Sequence, residues 1–345
     1  VKPNLSRRQF LVQSAGIAGA SLGIGVGAHA QGDGEIRLGF IGAGDRGRHL
    51  LGAALRLPGG PTHPAPGGPT YPAPQVRVTA ICDVNPRHLK RGLEIAAAAA
   101  ARAGGSAAPR GFTNYRALLD EKDVDAVIIA TPVHLHAPHA LTAVAARKHV
   151  YLEKPLAADP AECREIEAAA RDAAAAGRIF QIGLQRRYHP RYRRSIQFLH
   201  DGEAGKVLFV RAQWHATGNP PRDKPWLFRR EKSGDVVVEQ ACHQFDVLNW
   251  LFRAPPLRAC GLGGTNRYPG EPFGRDTMDH YGAVLEYPGG AKAHLSHVSY
   301  AIPERRFSGI YELVFAERLG IDLANALAWT PQGESRNLLP ATEGE

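Results

Sequence analysis

The chain has 345 residues, 44% of them hydrophobic, and a formal net charge of +9 at pH 7. That is length for two domains and apolar content for a sizeable core, which excludes global disorder. The charge is scattered apart from Arg186-Arg187, Arg191, Arg193-Arg194 and Arg229-Arg230, with no basic stripe interleaved with aromatics, so nucleic acid is a poor partner. Cys82, Cys163, Cys242 and Cys260 show no C-x-x-C spacing, which argues against a zinc site and a dense disulfide framework.

Residues 1–30 read as a targeting segment. Ser6-Arg7-Arg8-Gln9-Phe10-Leu11 is a twin-arginine signal, a Gly/Ala-rich and mildly apolar stretch follows, and Ala28-His29-Ala30 is an A-x-A cleavage site. The stretch is too rich in glycine to make a good spanning helix. The expected location is periplasmic or extracytoplasmic, with no stable membrane span after cleavage.

Residues 36–41 read as a buried strand that runs into Gly42-Ala43-Gly44-Asp45-Arg46-Gly47, with a helix predicted over 48–57. A G-x-G-x-x-G between strand and helix has the context of a dinucleotide-binding turn. Gly42 makes the turn, Gly44 lets backbone approach a pyrophosphate, and Gly47 allows close helix packing. Residues 59–74 are a tandem Pro/Gly octapeptide, expected as a surface loop. The next strand, 76–82, ends at Asp83. Gly47 and Asp83 stand 36 positions apart, and without the 16-residue repeat 20 remain. That spacing suits the acidic residue that takes the ribose hydroxyls of NAD. A carboxylate there disfavours NADP, an effect Arg87 could offset.

A helix over 88–102, a short helix over 115–119, a strand over 124–130 and a helix over 137–146 follow. Strand and helix alternate, as in an α/β doubly wound parallel sheet. His134, His136 and His139 lie after the strand end at Thr131-Pro132. No acidic partner is nearby in sequence, so histidines beside a cofactor cleft are a plainer reading than a metal site, and no metal is expected. Val150-Tyr151-Leu152 then runs into Glu153-Lys154-Pro155. Proline holds Lys154 in extended geometry at a strand end, where burial can lower a lysine's pKa for proton transfer. Gly42, Asp83, Thr131 and Lys154 all fall at the carboxyl ends of strands, where such sheets bind ligands.

On the glycine turn, Ala130-Thr131-Pro132 with His136, and above all His149 to Pro155, the chain resembles the Gfo/Idh/MocA family of dinucleotide-dependent oxidoreductases over roughly residues 35–330. The resemblance implies a Rossmann domain over 35–184 and a substrate and oligomerisation domain over 185–345, an α+β unit with a mostly antiparallel open sheet. It places Lys154 beside the nicotinamide as a proton-transfer group, often with a cis Lys-Pro bond. Together with the spacing arguments above, the cofactor-binding residues are read as Gly42, Gly44, Gly47, Asp83, Arg87, Thr131, Pro132, His136, Glu153 and Lys154. The resemblance also places an arginine and a following aromatic, Arg187 and Tyr188, near the cleft.

Helices are predicted over 161–176 and 191–200, with strands over 178–184 and 206–215. The loop 216–234, which bears Trp226, reads as a lid or a sugar-binding wall. A helix predicted over 239–252 sets Glu239, His243 and Asp246 on one face, where carboxylate and imidazole can share a proton and Asp246 can meet substrate. The family carries an acidic residue four before an active-site histidine here. Its usual residue is Asp, so Glu239 is a departure. Strands over 258–262, 277–287, 291–300 and 309–315, with a hairpin turn at Tyr287-Pro288-Gly289-Gly290, make the second sheet. In the family its open face joins subunits, so a homo-oligomer is expected. Family members continue past this point with a returning helix, so a truncated C-terminus is expected.

These readings converge on an exported oxidoreductase passing hydride between tightly bound NAD and a secondary alcohol of a sugar or cyclitol. Lys154 and His243 would handle the hydroxyl proton, with Glu239 orienting one of them. Two alternatives are an NAD-dependent glycoside hydrolase or lyase acting by transient oxidation, and a non-catalytic sugar-binding sensor.

Overall fold

The computed structural model describes residues 35–55, 75–102, 108–216, 223–270 and 273–339. The signal segment and the octapeptide expected at 1–30 and 59–74 lie outside these residues.

Six strands build the first sheet: β1 (Glu35–Ile41), β2 (Gln75–Cys82), β3 (Arg110–Phe112), β4 (Ala126–Ile129), β5 (His149–Leu152) and β6 (Phe180–Ile182). Their order is β3-β2-β1-β4-β5-β6, and every pair is parallel. Their aliphatic runs are what a sheet covered on both faces requires. Alternate residues of β1 face opposite ways. Phe40 packs in one core with Leu51 of α1 (Asp45–Ala54) and Ala96 of α2 (Pro86–Arg102). Ile41 packs in the other with Leu118 of α3 (Tyr115–Leu119), Ala140 of α4 (His136–Ala145) and Ile166 of α5 (Pro160–Ala175). The α5 helix starts where its sequence says it should: the Asp159 side chain caps the Ala161 amide and Pro160 takes the first turn. The chain leaves β1 on one side for β2 and returns on the other as β4. That reversal opens a crevice at the strand ends, between the turn after β1 and Thr131 after β4.

The second sheet has eight strands in the order β14-β13-β12-β11-β7-β10-β9-β8. They are β7 (Val207–His215), β8 (Arg258–Gly264), β9 (His280–Glu286), β10 (Lys292–Val298), β11 (Gly309–Ala316), β12 (Gly320–Asp322), β13 (Leu327–Trp329) and β14 (Ser335–Asn337). The sheet is antiparallel except where β10 runs parallel to β7. One face carries Val210, Ala212, Leu285, Leu295 and Val314 into a core with α6 (Pro190–His200) and a helix at Cys242–Phe252. The opposite face leaves Phe209, Val284, Phe315 and Leu262 exposed among the described residues.

The helix expected over 239–252 is two helices. After α7 (Arg230–Ser233), α8 (Asp235–Glu239) ends at Glu239, a turn takes Gln240 and Ala241, and α9 (Cys242–Phe252) follows. The Gly234 between α7 and α8 has φ of +73°, a left-handed turn that redirects the chain into α8.

Candidate active site

The turn after β1 works as its glycines require. Gly42 has φ of +94°, and a Cβ there would stand 2.6 Å from the Ala130 carbonyl. A Cβ on Gly47 would collide with the Gly42 carbonyl. Gly44, the residue before α1, meets nothing nearer than His88 at 3.9 Å and opens on the crevice. The Asp83 carboxylate closes this cradle, accepting the Ala43 amide at 2.7 Å on one oxygen and the Asn85 amide at 2.8 Å on the other. Open backbone at a helix N-terminus with an acceptor beside it fits a dinucleotide pyrophosphate and ribose. The cleft measures about 820 Å³, and its lining includes Gly42, Gly44, Asp83, Thr131, Pro132, Glu153, Lys154, Trp226 and Glu239.

Lys154 sits at the end of β5, followed by a cis bond to Pro155. Its ammonium donates to the Glu239 carboxylate at 2.7 Å and to the Glu239 carbonyl at 2.6 Å. Burial pulls its pKa down, but the Glu239 carboxylate, by its charge and its hydrogen bond, outweighs that and leaves it raised. The lowered pKa expected from the strand-end position is therefore overturned, because a carboxylate from the second domain meets the amine. Glu153, 3% exposed, accepts from Arg46 Nε at 2.6 Å and from the Lys154 amide at 2.9 Å.

His243 is buried and lies parallel to Trp214, with ring centroids 5.8 Å apart and planes 7° apart. Its Nδ1 has no hydrogen-bond partner among the described residues. Burial first, then the charges of Lys154, Arg186 and Arg46, pushes its pKa down to about 3, so the ring is neutral. The shared face of Glu239, His243 and Asp246 does not form. Glu239 turns to Lys154, and Asp246 accepts from Arg187 Nε at 2.8 Å. The break at Gln240-Ala241 is the reason, since it takes Glu239 out of helical register with the other two.

Residues 36–183 match the oxidoreductase family with an NAD-binding Rossmann fold, and residues 192–315 match the GFO/IDH/MocA C-terminal domain. The chain belongs to the Gfo/Idh/MocA family. Inositol 2-dehydrogenase of Salmonella typhimurium (strain LT2) is 31% identical over 178 residues, 51% of this chain and 47% of that protein. The 2,7-anhydro-N-acetylneuraminate hydratase of Escherichia coli (strain K12) is 28% identical over 184 residues, 53% of this chain and 48% of that protein. The chain thus spans about half the length of these curated relatives. The WlbA dehydrogenase from Bordetella pertussis, solved with NADH and UDP-GlcNAcA, shares the fold with a TM-score of 0.66 at 22% identity, over 84% of this chain and 76% of that one.

Several residues expected at the site stand elsewhere. His136 does not line the cleft. It is 1% exposed and bridges the Pro155 carbonyl at 2.7 Å and the Thr131 carbonyl at 3.0 Å, bracing the two strand ends. Arg87 is exposed on α2, and Asn85 and His88 line the cleft in its place. Arg187 packs over Trp250 and Tyr188 is 61% exposed, bonded to Gln181. Neither lines the cleft, and nor do Asp246 and His243, the latter buried against Trp214. The inward arginine of that pair is Arg186, ion-paired with fully buried Glu312, which also accepts from Tyr192 at 2.7 Å. Arg186 is the one whose guanidinium lies over Trp214, 5.8 Å from its ring centroid.

Other lining residues escaped the sequence reading. Arg46 lies inside the glycine motif itself. Tyr115 is another; it packs at 4.3 Å on the ring of His139, which lines the cleft as its place after the Thr131 strand end implies and which burial pushes down to about 4. Lys224 reaches Asp45 from the loop before Trp226, and nothing local in sequence marks it. No three His, Cys, Asp or Glu side chains are grouped to hold a metal among the described residues.

Proposed function

We propose that this chain is an NAD-dependent oxidoreductase acting on a secondary alcohol of a sugar or cyclitol. The observation that carries the reading is the Lys154–Glu239 pair at the strand-end cleft that the glycine turn also lines. Bound NAD supplies the hydride acceptor or donor there. Gly42, Gly44 and the α1 N-terminus would hold its phosphates, and Asp83 its ribose, which favours NAD over NADP. Lys154, held as an ammonium, polarises the substrate oxygen and donates a proton to it in carbonyl reduction. In alcohol oxidation the hydroxyl proton passes to the Lys154–Glu239 pair, where the carboxylate can take what the amine relays. His243 is assigned the role of a neutral acceptor for a substrate hydroxyl.

Export through the twin-arginine signal at 1–30 belongs to the same proposal. A dehydrogenase outside the cytoplasm has little free NAD, so the cofactor would stay bound through many turnovers. A hydrolase or lyase that oxidises its sugar and then returns the hydride is the second reading. It is favoured by the kinship with a protein named as a hydratase, whose net reaction changes no oxidation state.

The test is mass spectrometry of the purified protein for retained dinucleotide, then a panel of sugars and cyclitols followed at the nicotinamide absorbance. Release from chromogenic glycosides without added NAD would favour the second reading. An empty protein that oxidises nothing in the panel would sink both.

A further inference from the structure

The break between α8 and α9 is what makes Glu239 useful. In an unbroken helix the Glu239 carbonyl would accept the His243 amide. Here the His243 amide points at the Gln240 carbonyl, 3.4 Å away, and the freed Glu239 carbonyl accepts the Lys154 ammonium at 2.6 Å. The carboxylate of the same residue takes a second ammonium hydrogen. Lys154 is gripped twice by one residue, and the break spares that carbonyl the His243 amide it would otherwise accept.

A side chain from the second sheet reaches the break. His297 of β10 is 0% exposed, its ring parallel to Tyr281 at 5.3 Å with planes 5° apart. Its Nε2 lies 2.5 Å from Oε1 of Gln240. An amide oxygen only accepts, so Nε2 carries the ring proton, and Nδ1 is left as a lone pair with no partner among the described residues. As core filling this is a poor choice, because an unmet buried nitrogen is destabilising and a leucine has none. The bond to Gln240 gives the imidazole its purpose.

We propose that His297 is a positioning residue: through Gln240 it holds the helix broken at the place that frees the Glu239 carbonyl for Lys154. The expected effect on turnover rests on reading Lys154 as the proton-transfer group. The effect on Lys154 itself can be measured without any substrate.

Three variants test this. His297→Leu removes the donor, Gln240→Met removes the acceptor from the other side, and His297→Gln sets an amide nitrogen near the place of Nε2. The first readout is the rate at which acetic anhydride labels Lys154, followed by mass spectrometry. With a carbonyl acceptor lost, more of the amine is unprotonated. His297→Leu and Gln240→Met should label about tenfold faster at neutral pH, the change a shift of one pKa unit gives. His297→Gln should stay close to wild type. The second readout is kinetic: kcat should fall about 10–100-fold in the first two variants, as misplaced catalytic groups do, with NAD affinity unchanged. Unchanged Lys154 labelling in both His297→Leu and Gln240→Met overturns the proposal, and so does His297→Gln behaving like His297→Leu. Should His297→Leu not fold, Gln240→Met, at a half-buried position, decides alone. If no sugar is turned over, the proposed function fails while the labelling still decides the role of His297.

Discussion

Lys224 Nζ lies 2.8 Å from Oδ2 of Asp45, tying the loop before Trp226 to the first turn of α1 beside the glycine cradle. Asp45 is held below the usual carboxylate range, first by the hydrogen bond from Lys224 and then by its charge. A bound dinucleotide would lie behind this strap. Lys224→Met should raise the NAD off-rate about tenfold with a smaller change in on-rate, since affinity differences of this kind appear mainly in dissociation. Wild-type cofactor release should also quicken with salt, because the pair is partly exposed and screened. Stopped-flow displacement measures both, and an off-rate unmoved by the substitution would remove the strap.

Lys154→Ala should lose about 10²–10⁴-fold in turnover while still binding NAD, because its amine faces Glu239 and not the glycine turn. Glu239→Gln should leave cofactor binding intact and move the pH dependence of turnover to lower pH, since the carboxylate is what keeps the amine's pKa up. Near wild-type turnover in Lys154→Ala would remove it from the chemistry.

Asp83→Ala should weaken NAD and narrow its advantage over NADP. The same change strips two acceptors from the backbone of the cradle, at Ala43 and Asn85. Asp83→Asn, which retains an acceptor oxygen, should therefore bind NAD better than Asp83→Ala. Isothermal titration with both dinucleotides checks this, and a wild type that already prefers NADP would contradict the assignment to the ribose.

Burial pushes His243 down to about 3 and His139 and His297 down to about 4, from an ordinary 6.5. The folded chain keeps all three neutral, whereas the unfolded chain protonates them below 6.5. Between that pH and about 4 the unfolded state binds more protons, so stability is full above 6.5 and is lost as the pH falls through this window. Each group adds up to about 1.4 kcal/mol per pH unit. Glu312 and Glu162, raised by burial, act in the opposite sense, while His134, His136, His149 and His215, also lowered by burial, act with the three. The urea midpoint should drop between pH 7.5 and pH 5. A flat midpoint would show that these rings are not held neutral.

The open face of the second sheet aligns Phe315 with Phe209 across β11 and β7, and carries Val284 and Leu262 on β9 and β8. An apolar face of this kind suits a contact with a second copy. Wild-type protein should sediment as an oligomer, and Val284→Lys combined with Phe315→Glu should shift it to monomer. A monomeric wild type at working concentration would leave the face without this role.

What the sequence made legible was local. The glycine turn, the strand before it and Glu153-Lys154-Pro155 are contiguous patterns whose spacing fixes their geometry, and the parallel sheet follows from alternating strand and helix. What it hid depends on partners far along the chain. Apolar periodicity ran unbroken through Glu239 to Phe252, and only Lys154, 85 positions away, and His297 from β10 explain why the helix stops. The choice between Arg186 and Arg187 was likewise hidden, because the buried Glu312 that claims Arg186 lies 126 positions on. Lys154 kept a high pKa for the same reason: strand-end burial was readable, but the carboxylate opposite it was not.

Because Lys154 comes from the first sheet and Glu239 from the helices packed on the second, the reactive pair exists only where two separately built halves meet. A chain whose first half has folded could already seat a dinucleotide on its glycine turn, yet its lysine would face water with no carboxylate to hold it. On the proposed reading, assembly itself would act as a safety catch: a cofactor taken up early would stay idle until the second half docks.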